Sequence, residues 1–130
     1  MEKRTTDPWK WGEMTNSVQA VEVTQAAGTL YCSGQVAIDA NGVPSSADMR
    51  SQLIQTFQNL EHLIAKAGYE CSGIVRLNIF TTSTAEFFTT CTDVYQEWIT
   101  RHGIKQATTL LEVKGLFATL TVEAEATVVR

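Results

Sequence analysis

Leu120-Thr121-Val122-Glu123-Ala124-Glu125-Ala126-Thr127-Val128 closes the chain with an apolar residue at every second position and a polar one between. Side chains alternate across a strand with period two, so this run predicts a strand with two unlike faces. Leu120, Val122, Ala124, Ala126 and Val128 form its dry face; Thr121, Glu123, Glu125 and Thr127 form its polar one.

Working back from that strand, residues 108–113 and 74–82 read as further strands. The latter has Val75, Leu77 and Ile79 on one side and Arg76, Asn78 and Phe80 on the other. Met49, Leu53, Phe57, Leu60 and Ile64 recur at helical spacing, and Ile54 and Leu63 widen the stripe. Ser45 is the expected N-cap of that helix, with Asp48 three residues on, and Gly68 its stop. Ser83 and Glu86 make a capping-box pair. It predicts a single second helix carrying Phe87, Phe88, Cys91, Val94, Tyr95, Trp98 and Ile99 up to Gly103. Residues 18–24 fit a first strand ended by Ala26-Ala27-Gly28, with 29–36 as its hairpin partner. The order is ββαβαββ, an α+β fold with two helices packed on one face of a mixed sheet.

The chain has 130 residues, enough for one domain with a modest core. Residues 1–16 read as an N-terminal arm and 17–130 as a single domain. An arm carrying Trp9, Trp11 and Met14 is expected to fold over the domain or a neighbouring subunit, because each indole exposes a large apolar area. The tryptophan pair is either a lid or ordinary surface packing. A net charge of −4, with ten basic residues in no stripe, argues against a nucleic-acid surface. No apolar run approaches the roughly 18 residues of a membrane span, and the N-terminus has no apolar leader-like core, so a cytoplasmic protein is expected. Cys32, Cys71 and Cys91 lack metal-ligand spacing and read as small buried hydrophobes. His62 reads as solvated and His102 as a partner for a helix dipole. No metal site and no cofactor are expected.

Two helices cover one face of a sheet. Val21, Val23, Phe80 and two glutamates make a poor surface to leave bare, so a closed oligomer with sheets facing inward is expected.

Leu30-Tyr31-Cys32-Ser33-Gly34-Gln35-Val36 and Thr121-Val122-Glu123-Ala124-Glu125-Ala126 resemble the two best signatures of the Rid (YjgF/L-PSP) family of imine and enamine deaminases. The resemblance covers nearly the whole chain after residue 17. It implies a chorismate-mutase-like fold, a homotrimer, and a small-molecule cleft at each subunit boundary. Some members have been labelled ribonucleases, and the charge pattern here gives that label no support.

Hydrolysing an imine needs an acid, a positioned water and a grip on the rest of the substrate. Glu123 matches the glutamate that the family associates with its water, and a desolvated carboxyl can hold a proton near neutral pH. A structural ion pair is the competing reading, and for Glu125 a structural or interfacial role is expected. Ser33, Gly34 and Gln35 form the other wall. Gly34 permits close approach of a ligand or simply marks a bulge. A serine-nucleophile mechanism has no His/Asp support around Ser33.

Three positions depart from the family's best-known branch. Ser17 stands where that branch has an aromatic residue, Thr92 where it has asparagine, and Thr108, followed by Thr109, where it has the arginine that grips the substrate carboxylate. Hydrogen bonds to charged groups contribute about 1.5–3 kcal/mol. Losing that contact implies roughly 10- to 150-fold weaker carboxylate binding unless Arg76, Lys114 or a neighbour's cation substitutes. The expectation is therefore a hydrolase whose substrate is not a standard 2-imino acid, with Glu123 and Ser33 catalytic and Gly34, Gln35, Ser17, Thr92, Thr108 and Thr109 binding. The alternative is a non-catalytic sensor on the same scaffold.

Overall fold

The computed structural model describes residues 1–130. In chain order the elements are β1 (Glu2–Thr6), β2 (Ala20–Thr24), β3 (Thr29–Gln35), α1 (Met49–Lys66), β4 (Ile74–Thr81), α2 (Thr84–Thr90), α3 (Thr92–His102), β5 (Ala107–Glu112) and β6 (Val122–Val129). Four strands make the main sheet in the order β3-β6-β4-β5, and only β4 and β5 run parallel. The α+β fold with its helices on one face is the one the alternation predicts. Val122, Ala124, Ala126 and Val128 are buried under α1, while Glu123, Glu125 and Thr127 are only half-buried.

The expected hairpin between the first two predicted strands does not form. β2 pairs with β1, inside the arm, and β3 pairs with β6 instead. Ala27 and Gly28 both donate their N–H groups to the Arg130 carbonyl, and Arg130 donates back to Gly28. The long ladder with β6 thus captures the segment that a tight turn would need. A two-residue hairpin loop of the favoured type also wants positive φ at both central residues, and here only Gln25 has it. Val21 and Val23 consequently belong to the small β1-β2 sheet.

α1 is capped by Asp48, not Ser45: the Asp48 carboxylate accepts from Ser51 N–H at 2.7 Å. Ser83 does cap α2, accepting from Glu86 N–H at 3.1 Å. The single second helix is broken at Cys91, which sits at φ −119°. Thr89, Thr90 and Thr92 each donate a hydroxyl to the carbonyl four residues back. Such back-bonding bends helices, and three threonines around Cys91 concentrate it at one turn. On β4 a register shift between Ile74 and Arg76 places Ile74 in the core where Val75 was expected.

Buried polar ties lock the layers. Gln52 of α1 accepts from both Thr121 N–H and its hydroxyl, and donates to the Ala47 and Thr119 carbonyls. Phe57 stacks on Trp98 with centroids 4.1 Å apart, and Trp98 Nε1 donates to Glu61. Arg101 and His102 reach the same carboxylate oxygen. The three cysteines are free and buried, and burial pushes the Cys71 thiol up to about 11. No helix is long and apolar enough to cross a membrane.

A methyl group on Gly73 would lie 2.3 Å from the Val129 carbonyl oxygen, a backbone atom that cannot swing aside. Gly73→Ala should therefore cost about 1–3 kcal/mol of stability, read from the urea midpoint. Stability should also depend on Glu61. Burial works to raise its pKa, but hydrogen bonds from His102 and Trp98 and the charges of His102 and Arg101 outweigh it and hold the carboxyl below its ordinary 4.5. A depressed carboxyl stabilises the fold above its ordinary pKa, and that contribution disappears as pH falls through the folded value. Urea midpoints between pH 3 and 7 should fall at the acid end, and Glu61→Gln should flatten that part of the profile.

Candidate functional site

The expected site residues form two groups. On the open face of the sheet, Glu123 of β6 lies opposite Phe80 of β4. The pairing of β3 with β6 slips between Cys32 and Gln35, so Ser33 and Gly34 form an irregular bulge beside it. A Cβ on Gly34 would come within 2.5 Å of a Glu123 carboxylate oxygen. The Glu123 side chain thus fills the space beside Gly34 and would have to swing aside for any larger residue there, which brings the two open readings of Gly34 together: it lies in a bulge, and a carboxylate packs against it. Gln35 folds back, donating its amide to the Ser33 carbonyl at 3.1 Å, and Ser33 is exposed. Burial, with the negative charge of Glu125 behind it, raises the Glu123 carboxyl above its ordinary value. Glu125 itself accepts from Asn78 Nδ2 at 3.0 Å, the structural contact expected of it. Thr109 also faces this side, accepting from the Arg76 guanidinium at 2.9 Å.

The second group lies at the sheet edge, between β5, α2, α3 and the arm. Ser17, Thr92 and Thr108, the three departures, line one cavity of about 300 Å³. Its apolar wall includes Met14, Val18, Ile79, Phe87, Phe88 and Leu110. Ligand sites are commonly such apolar hollows with a few polar groups converging on them. Trp11 lines it as well, stacked on Trp9 with centroids 5.9 Å apart, so one member of the tryptophan pair overhangs the pocket while both stay exposed. The arm is pinned there: Tyr95 donates to the Thr15 carbonyl at 2.7 Å and Gln106 donates to the Asn16 carbonyl at 3.0 Å. Burial pushes the Tyr95 phenol up to about 12 while Thr108 and Gln106 draw it back. A larger polar hollow of about 480 Å³ beside the arm holds Asp7, Lys10, Glu13 and Lys105, but of the expected residues only Ser17.

Tyr95 and Phe87 were expected as members of an apolar helix stripe, and they serve the pocket too. The one signal in the sequence was a phenol on an otherwise apolar stripe, since a buried hydroxyl needs a partner. No three His, Cys, Asp or Glu side chains converge as metal ligands. His62 is exposed, and His102 is tied to Glu61.

The two groups do not meet within one chain. Their strand partners, Phe80 and Leu77, are three residues apart on β4, and β4 itself lies between β5 and β6. At about 3.3 Å per residue and about 4.8 Å per strand, Glu123 and Thr108 are about 14 Å apart, and on opposite faces.

The family described as Endoribonuclease L-PSP matches residues 13–130. A RutC family protein of Aquifex aeolicus (strain VF5) is 30% identical over 112 residues, which cover 86% of each chain. Among solved structures, the conserved Rid family protein YyfB of Yersinia pestis, of unknown function, superposes with a TM-score of 0.85 at 26% identity, over 100% of both chains. The E. coli YjgF gene product gives 0.71 at 27% identity over 87% of each chain.

The raised carboxyl offers a direct measurement. In a carboxyl-detected NMR titration Glu123 should titrate above 4.5, and Glu125→Gln should bring it partway down by removing one of the two causes. A Glu123 that titrates at or below the ordinary value would mean that the open face is fully solvated.

Proposed function

This chain belongs to the Endoribonuclease L-PSP (Rid) family, and we propose that it is a cofactor-free hydrolase of imines or enamines working as a homotrimer, on a substrate other than a standard 2-imino acid. The observation that carries this reading is the Glu123 carboxyl, raised in pKa and packed on Gly34. Burial and the neighbouring Glu125 charge both favour its protonated form, the form a general acid needs. Ser33 stands beside it with a free hydroxyl to orient water.

Glu123 donates its proton to the imine nitrogen, or to the β-carbon of an enamine to make the iminium. Water adds to the electrophilic carbon, and the proton it sheds returns to the carboxylate. The carboxyl then protonates the carbinolamine nitrogen, the C–N bond breaks with its electrons on nitrogen, the hydroxyl proton passes to the carboxylate, and ammonia leaves with the carbonyl product. A single chain separates this acid from the edge pocket by too far for a small molecule to span. The open face of one copy set against the edge pocket of the next would join them, and it would cover Tyr31 and Leu111, which are exposed on the sheet of the single chain.

Light scattering at micromolar concentration should give three times the monomer mass. Iminopyruvate and 2-aminoacrylate generated in situ should be hydrolysed far more slowly than by an arginine-bearing relative. Thr108→Arg, alone or with Ser17→Tyr and Thr92→Asn, should gain imino-acid hydrolysis, and adding Glu123→Gln should abolish the gain. A folded trimer carrying all three changes, with its arginine in the cleft and still inactive, would favour a non-catalytic binding protein instead.

A further inference from the structure

The edge pocket is lined by five hydroxyl groups, and each has its proton committed to the chain. Thr92 donates to the Phe88 carbonyl at 2.9 Å, and Thr108 to the Leu77 carbonyl. Tyr95 donates to the Thr15 carbonyl. Thr15 donates its only hydroxyl proton to the Gly12 carbonyl at 3.0 Å, so in the 2.6 Å contact between Thr15 and Ser17 the serine is the donor. The Tyr95 oxygen accepts from Gln106 and the Thr15 oxygen from Ser17, so what Ser17, Thr92 and Thr108 keep for a ligand is lone pairs.

The pocket holds no carboxylate, and its one charged residue is Arg76, which is exposed, makes no ion pair and already donates its guanidinium to Thr109 toward the open face. The other donors are the exposed Trp11 and Gln96 and the half-buried Gln19; the two glutamine amides accept as readily as they donate. A carboxylate seated among Ser17, Thr92 and Thr108 would face acceptors. To receive it, each hydroxyl would have to turn and give up a bond to the chain, a loss of about 2- to 12-fold in affinity apiece. A cation would suit the lone pairs but would meet the Arg76 charge.

We propose that the edge pocket takes a neutral molecule with an apolar body and an N–H donor head, the chemistry of a primary amide, imine or enamine, and discriminates against carboxylates. The apolar body lies against Met14, Val18, Phe87, Phe88 and Leu110, and the N–H donates to the oxygens of Thr108, Thr92 or Ser17. A neutral imine carries such an N–H on its reacting nitrogen. This deepens the hydrolase reading, on which it rests for the reaction but not for binding.

The test is calorimetric titration of the full chain with three molecules matched in shape: 3-phenylpropanamide, 3-phenylpropanoate and 3-phenylpropylammonium. The amide should bind about 30-fold tighter than the carboxylate, the product of two such hydroxyl losses at about 5-fold each. Thr108→Val keeps the shape and removes the acceptor. It should weaken the amide about 2- to 12-fold and strengthen the carboxylate, so that the preference narrows, while Thr108→Ser should keep the amide affinity. Arg76→Gln should strengthen the ammonium.

Carboxylate binding that equals the amide's and falls with Arg76→Gln would overturn the inference, because Arg76 would then be an anion grip. Failure to bind the amide at millimolar concentration would overturn it as well. Hydrolysis of imines without this preference would overturn the inference and leave the hydrolase reading standing. The preference without turnover would sustain the inference and remove the hydrolase.

Discussion

β6 has to satisfy two neighbours and two faces at once, and that constraint organises the rest of the molecule. Both its edges are hydrogen-bonded, to β3 on one side and β4 on the other. One face must be dry enough to pack under α1, which the small Ala124 and Ala126 allow by letting the helix approach closely. The other face carries Glu123 and Glu125, and only the period-two pleat keeps the two sets apart. A slip of one residue would bury both carboxylates. The register is therefore held by the cost of burying unpaired charge as much as by the gain of burying valines.

The same geometry explains why the site divides. A strand that points its acid out of one face cannot also point it into a pocket beneath the other. The pocket is an edge feature, made where β5 runs out of helix cover and the arm folds over the gap. Gly34 belongs to the first half, where its missing side chain is filled by Glu123, while Thr108 belongs to the second. Chemistry that needs both must bring two surfaces together, and the bare open face, with Tyr31 and Leu111 exposed, is the surface with reason to be covered.

Strands and helices with a strong period were legible in the sequence, because burial imposes the period and burial dominates the energetics. β6, β4 and the α1 stripe follow directly from it. Pairing was less legible. Nothing in the valines of residues 18–24 says whether they join β3 or the polar segment Glu2–Thr6, since a ladder's partner depends on where the chain's far end arrives. The break at Cys91 was written in its threonines but concealed by an unbroken apolar stripe. At the site, the residue types were legible and their grouping was not. Ser17, Thr92 and Thr108 lie 75 and 16 positions apart and meet only through the fold.

That meeting changes what the missing arginine means. Had the three departures been scattered, each would be a separate weakening of one grip. Lining one cavity, with every hydroxyl proton turned back to the chain, they make a surface of single polarity. Polarity of this kind selects by what it refuses, since a buried lone pair facing another lone pair costs more than a merely absent contact. The acid on the other face is not involved in that selection: Glu123 and Gly34 keep their packing whichever molecule the pocket admits. Grip and acid can therefore vary independently on this scaffold, with the fold fixing only that they lie on opposite faces of one sheet.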